Sequence, residues 1–117
     1  MGQVLLFVYG SLKRGCSNHY LIAEQEFLGP AITEPRYRLI DLGMYPGLVR
    51  NEANGLAVHG ELWAVSEDCL VELDRFEGEP YQREPVAIPG STDVVAYFWK
   101  RTIPVLGRSG HVWPFVG

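Results

Sequence analysis

Two short segments hold the residue types that could do chemistry. The first is Tyr9-Gly10-Ser11-Leu12, in which a glycine directly follows an apolar run. Glycine lets a backbone approach a ligand closely. Successive N–H groups in such a turn can form a nest for an anion, so the segment could hold a carboxylate or a phosphate. A turn that merely needs glycine's dihedral freedom accounts for the same residues. The second segment runs from Leu73 to Arg83 and contains Phe76-Glu77-Gly78. Glu77 falls at the end of an expected helix, where the helix dipole disfavours a negative charge. It also follows Leu73 by one turn, which leaves it near an apolar face. A carboxylate tucked there would be harder to ionise and could shuttle a proton near neutral pH. By pattern alone, a solvated helix-end glutamate like Glu72, Glu79 or Glu84 is the simpler reading.

Other chemistries fit less well. Gly10 and Gly15 have the spacing of a phosphate-binding loop, but Cys16-Ser17 stands where Lys-Ser/Thr is required. Without that lysine a nucleotide-driven activity is rejected. Ser11 as a nucleophile would need a base, and His19, His59 and His111 sit in no hydrolase signature. Nothing in the sequence lowers the pKa of Cys16. The histidines are too scattered to specify a metal site. Glu61 lies in an expected strand beside His59 and Trp63, and an outward or structural role is favoured for it.

Several elements must position these groups. Val4–Tyr9 is a short apolar run, expected to be a central strand buried on both faces. The loop from Gly10 to Asn18 follows, and then a short helix through Tyr20, Leu21 and Ile22 capped by Ser17 or Asn18. Strands are expected at Phe27–Thr33, Arg36–Asp41 and Leu56–Val65, with a turn over Gly43–Gly47. Ser66–Glu77 reads as the clearest helix. Ser66 is placed as its N-cap, and Cys69, Leu70, Leu73 and Phe76 form its apolar face, with Gly78 as its stop. Arg83–Ile88 and Val94–Lys100 form an expected hairpin, and the tail after Ile103 is expected to be surface coil. These elements give an α+β fold with a largely antiparallel or mixed sheet that could close into a barrel.

Bulk properties narrow the function classes. At 117 residues and 47% hydrophobic content, the chain fits one domain over 1–117 with a core that needs no staples. Its net charge of −4 argues against nucleic-acid binding. Cys16 and Cys69 show no CxxC spacing and are expected as free thiols. No apolar stretch reaches the roughly 20 residues a membrane helix needs, and no leader pattern opens the chain. A cytoplasmic location is therefore expected.

In order and spacing, a set of fragments resembles the γ-glutamylcyclotransferase-like superfamily. The closest likeness is to its small AIG2-like and γ-glutamylamine cyclotransferase branch. The fragments are Phe7 through Lys13, Asn18-His19, Tyr45-Pro46-Gly47, Gly60 through Trp63, Leu73 through Gly78, Tyr81-Gln82-Arg83 and Ala96-Tyr97. The resemblance implies a compact mixed β-barrel with one or two flanking helices. It implies a pocket floored by Tyr9, Gly10, Ser11 and Leu12, whose backbone holds the substrate's α-carboxylate. It further implies that Glu77 is the acid/base and that Tyr81 and Tyr97 line the pocket. The implied reaction is cyclisation of a small γ-glutamyl amide to 5-oxoproline with release of an amine or amino acid. Ser11, Tyr97 or a backbone N–H would stabilise the oxyanion, and no metal or organic cofactor is called for. A non-catalytic small-molecule-binding module on the same fold is the alternative. The leaving amine and the oligomeric state stay open.

Overall fold

A computed structural model describes residues 2–104 and 107–115. Its strands are β1 (Gln3–Val8), β2 (Glu26–Asp41), β3 (Pro46–Arg50), β4 (Leu56–Ser66), β5 (Tyr81–Pro85), β6 (Val94–Trp99) and β7 (Ser109–Gly110). One α-helix, α1 (Glu67–Glu77), joins β4 to β5, and a single 3₁₀ turn spans His19–Leu21. The strand order β1-β4-β2-β3-β6 is closed by a parallel pairing of β1 with β6, which makes a barrel of mixed direction. β5 is added to the outside edge of β6 and β7 to that of β2. This is the expected α+β mixed barrel.

The period-two alternation of the strands divides the apolar residues between two cores. Phe7, Leu39, Leu48, Val58, Ala96 and Phe98 form the first, contributed by all the barrel strands. Leu6, Val8, Trp63, Val65 and Tyr97 form the second, together with Leu70 and Leu73 of α1. β1 therefore buries both of its faces, as its continuous apolar run requires. Leu73 is fully buried, and burial of a leucine stabilises by about 1.5–3 kcal/mol. That contact fixes α1, and with it Glu77, against the barrel wall.

Several segments differ from the sequence expectation. Phe27–Thr33 and Arg36–Asp41 are one strand, β2, whose alternation is broken by register shifts around Gly29 and Pro35. Thr33 repairs the second break, because its buried hydroxyl accepts from the Val58 N–H at 2.9 Å. Gly43–Gly47 is not wholly turn, since Pro46-Gly47 opens β3 and pairs with Ile40 and Asp41. The short helix is only a 3₁₀ turn. Asn18 precedes it without a side-chain cap and instead donates to Ser11 Oγ. Part of the tail is not coil: β7 pairs with Leu39 and Ile40, and Trp113 and Phe115 pack on the first core. Residues 105–106 and 116–117 of that tail lie outside the described residues. Phe76 does not face a core, being 42% exposed at the helix end.

Among the described residues, no helix is long and apolar enough to cross a membrane. Cys16 and Cys69 are unbridged.

Candidate active site

α1 stops at Glu77 because Gly78 follows with φ of 73°, and the Gly78 N–H closes the last turn on the Asp74 carbonyl at 3.0 Å. Ser66 caps the other end, accepting from the Cys69 N–H at 3.1 Å. The helix C-terminus therefore meets the point where β1 runs out. Between them lies a cavity of about 170 Å³, walled by Tyr9, Gly10, Ser11, Leu12, Glu77, Tyr81 and Tyr97, with Phe7, Val8, Tyr45, Pro46 and Phe76 completing it. All seven site residues that the family resemblance implied thus line one space. Tyr45, Pro46 and Phe76 were not singled out as site residues, although Tyr45-Pro46-Gly47 was among the fragments that carried the resemblance.

Glu77 is the one acidic residue in that lining. It is half-buried, and burial carries its pKa up to about 7. Among the described residues its carboxylate has no hydrogen-bond or ion-pair partner. The neighbouring carboxylates all have one. Glu72 pairs with Arg75 at 3.1 Å, Asp74 with Arg83 at 2.9 Å, and Glu84 with Lys100 at 3.0 Å. Glu79 is exposed and pairs with Arg101. The solvated reading fits Glu72 and Glu79; it does not fit Glu77, nor Glu84, which is largely covered and held by Arg50 and Lys100.

The loop after β1 is built by its own hydrogen bonds. Lys13 N–H donates to the Gly10 carbonyl at 3.0 Å, and Asn18 N–H to the Ser11 carbonyl at 2.9 Å. The Asn18 side-chain amide donates to Ser11 Oγ at 2.8 Å, which leaves the Ser11 proton available to the cavity. The N–H groups of Gly10, Ser11 and Leu12 donate to no acceptor among the described residues. Both basic side chains of the loop are committed elsewhere. Lys13 Nζ donates to the Trp113 carbonyl at 2.5 Å, and Arg14 pairs with Glu61 at 3.6 Å. An anion held here would meet backbone donors rather than a side-chain cation. Gly10 is required for a reason not visible in the sequence: a Cβ there would lie 2.7 Å from Pro46 Cγ.

Three of the four tyrosines that line the cavity direct their single proton into the protein. Tyr9 donates to the Tyr97 carbonyl at 2.6 Å, Tyr81 to the Pro46 carbonyl at 3.0 Å, and Tyr97 to Asp74 Oδ1 at 2.6 Å. Burial raises the pKa of all three, so they stay protonated. Tyr97, one of the three groups considered as an oxyanion donor, has thus committed its proton to Asp74. Ser11 and the loop N–H groups retain theirs.

The remaining candidates take structural places. Ser11 has Asn18 as its hydroxyl partner, not a histidine, and His19 Nδ1 contacts the Leu12 carbonyl at 2.9 Å. Glu61 accepts from the Arg14 N–H at 3.0 Å and from Trp63 Nε1 at 3.1 Å, tying the loop to β4 as a structural residue would. Among the described residues no group of three or more metal-ligating side chains is assembled.

A mixed five-stranded barrel with one helix, carrying a cavity between a strand-end loop and a helix-end glutamate, defines a specific class of protein. The sequence model of the family described as "Gamma-glutamyl cyclotransferase, AIG2-like" matches residues 6–113, and the chain belongs to that family. It is 41% identical to a Vibrio cholerae protein provisionally named a gamma-glutamylcyclotransferase, over 86% of this chain and 85% of that one. It is 37% identical to the Escherichia coli gamma-glutamylcyclotransferase family protein YtfP, over 79% of this chain and 80% of that one. Among solved structures, a mouse AIG2-like protein superposes with a TM-score of 0.79 at 30% identity, covering 89% of this chain and 82% of the other.

Proposed function

We propose that the chain, as a single domain, is an enzyme that cyclises a small γ-glutamyl amide, with Glu77 as its acid/base. The observation that carries this reading is one cavity lined both by Glu77, whose half-buried carboxylate has no partner among the described residues, and by Gly10, Ser11 and Leu12, whose N–H groups have no acceptor among them. The cavity matches the two ends of an α-amino acid. The N–H groups suit the α-carboxylate, and Glu77 suits the α-ammonium.

The reaction follows from that placement. Glu77 takes a proton from the α-ammonium, and the freed amine attacks the γ-carbonyl carbon to form a C–N bond. Negative charge on the carbonyl oxygen is met by the Ser11 hydroxyl or a loop N–H. Glu77 returns its proton to the leaving nitrogen, the original amide C–N bond breaks, and 5-oxoproline and a free amine depart. A carboxylate with a pKa near 7 holds or releases a proton readily at neutral pH. Fixing the carboxylate end curls the chain so that amine and carbonyl approach within about 3–3.5 Å.

The test is 5-oxoproline release from a panel of γ-glutamyl amines and dipeptides by the wild type and by Glu77→Gln. The glutamine keeps the shape and cannot accept the proton. Loss of about 10²–10⁴-fold in a folded variant is expected. Equal rates would remove Glu77 as the acid/base. No release from any substrate would favour the non-catalytic binding module.

A further inference from the structure

One carboxylate beside the cavity is unused by this mechanism. Asp74 lies three residues before Glu77, on the same side of α1. Its Oδ1 takes the Tyr97 proton at 2.6 Å, while Arg83 forks onto both of its oxygens at 3.0 and 2.9 Å. As an ion pair this gains little, since the side chains are 42% and 35% exposed. Its consequence for Tyr97 is larger. An ionised carboxylate can only accept, so the phenol must donate to it; Arg83 also reaches the Tyr97 hydroxyl, and the lone pair left on that oxygen is what it offers the cavity it lines. The Arg83 hydrogen bonds hold Asp74 ionised, its pKa lowered, which fixes that polarity.

We propose that Asp74 is a positioning residue that presents the Tyr97 hydroxyl oxygen as an acceptor, and that this oxygen, with Glu77, receives the substrate's α-ammonium group. The inference rests on the cyclotransferase reading of the site and assigns Tyr97 a different task from oxyanion stabilisation. Glu77 and Tyr97 line the same cavity, so the two acceptors share one space. An ammonium bridging them gives one proton to Glu77 and keeps another hydrogen bond to Tyr97. The amine nitrogen therefore stays fixed as its lone pair is freed toward the carbonyl. The loop donors remain for the carboxylate and the oxyanion, so donors and acceptors are sorted to opposite walls.

The test uses binding to proteins carrying Glu77→Gln, so that no turnover intrudes. The probes are γ-glutamyl ethylamide and glutaric acid mono-ethylamide, which lacks the α-amine. By calorimetry, Tyr97→Phe and Asp74→Ala should each weaken the amine-bearing probe about tenfold or more. Neither should affect the probe without the amine. Asp74→Asn, which keeps an acceptor for the phenol, should restore most of the affinity. The double variant Asp74→Ala/Tyr97→Phe should be no worse than Tyr97→Phe alone, because Asp74 acts through Tyr97. Equal weakening of both probes, additive losses, or no weakening of the amine-bearing probe by Tyr97→Phe would each overturn the proposal. If the amine is discriminated as expected and the wild type still releases no 5-oxoproline, the binding role stands and the cyclisation reading falls.

Discussion

The Glu77 carboxylate lines the cavity with no partner among the described residues, while that of Glu79, two residues on, is exposed and bound to Arg101. Gly78 between them produces the difference. Its positive φ turns the chain out of the helix, so one glutamate stays on the wall of α1 and the next is carried into solvent. Glu79→Gln should therefore leave 5-oxoproline release close to wild type, with at most a small loss of stability from an exposed ion pair. Paired assays of Glu77→Gln and Glu79→Gln check this. A larger loss in Glu79→Gln would move the acid/base assignment to the other residue.

The elevated pKa of Glu77 sets a pH dependence for turnover. The accepting form is the ionised one, and the group ionises at about pH 7. Catalytic efficiency should rise with pH up to about 7 and level off above it. A rate profile measured from about pH 5 to 9 reports this limb as the free enzyme's. A limb in the ordinary carboxylate range, near 4.5, would mean that a different acid controls the rate.

The same shift has a consequence for stability, with a definite sign. Glu77 ionises at about 7 when folded, against an ordinary value of 4.5. Folding thus favours its protonated form. Wild-type stability is unaffected by this group below the unfolded pKa, and it declines as pH rises through the folded one. Relative to Glu77→Gln, the wild type should lose up to about 2–3 kcal/mol between those values and nothing further above them. Denaturant melts of both proteins at acid and alkaline pH measure the difference. A wild type that gains stability relative to Glu77→Gln as pH rises would contradict the burial argument.

How much of this was legible depends on how local each feature is. α1 was readable because its cap, apolar spacing and terminal glycine all lie within its own span. β2 was split in two because Gly29-Pro30 and Pro35 interrupt the alternation, and the Thr33 bond that repairs it comes from β4. β3 was hidden by opening on Pro46-Gly47, which looks like a turn until Ile40 and Asp41 are opposite it. Barrel closure rests on Leu5 and Leu6 meeting Val94 and Val95, a pairing no local pattern contains. In the site, Gly10 and Glu77 stood out only through the order of several fragments, since each alone has a simpler structural reading. The helical spacing that put Phe76 on the apolar face could not reveal that α1 overhangs the cavity at its end. The pairing of Asp74 with Tyr97 joins residues 23 positions apart and was not visible at all.

Gly10 supplies the last prediction, because its need for glycine is steric. A Cβ at this position would meet Pro46 Cγ at 2.7 Å and Cδ at 3.0 Å. The proline ring is not the end of a flexible side chain. It is buried at the start of β3, and its carbonyl accepts the Tyr81 hydroxyl. Gly10→Ala must therefore push the loop or β3 aside, and overpacking of this kind costs about 1–3 kcal/mol. Either displacement also moves groups that line the cavity: the loop donors on one side, Pro46 and the Tyr81 hydroxyl on the other. The variant should melt earlier, and it should bind a γ-glutamyl amide more weakly than its loss of stability alone explains. Comparing melting temperature with ligand affinity at a temperature where the variant is fully folded separates the two effects. Normal affinity in a destabilised Gly10→Ala would mean that this glycine serves packing against Pro46 and leaves the loop donors where they were.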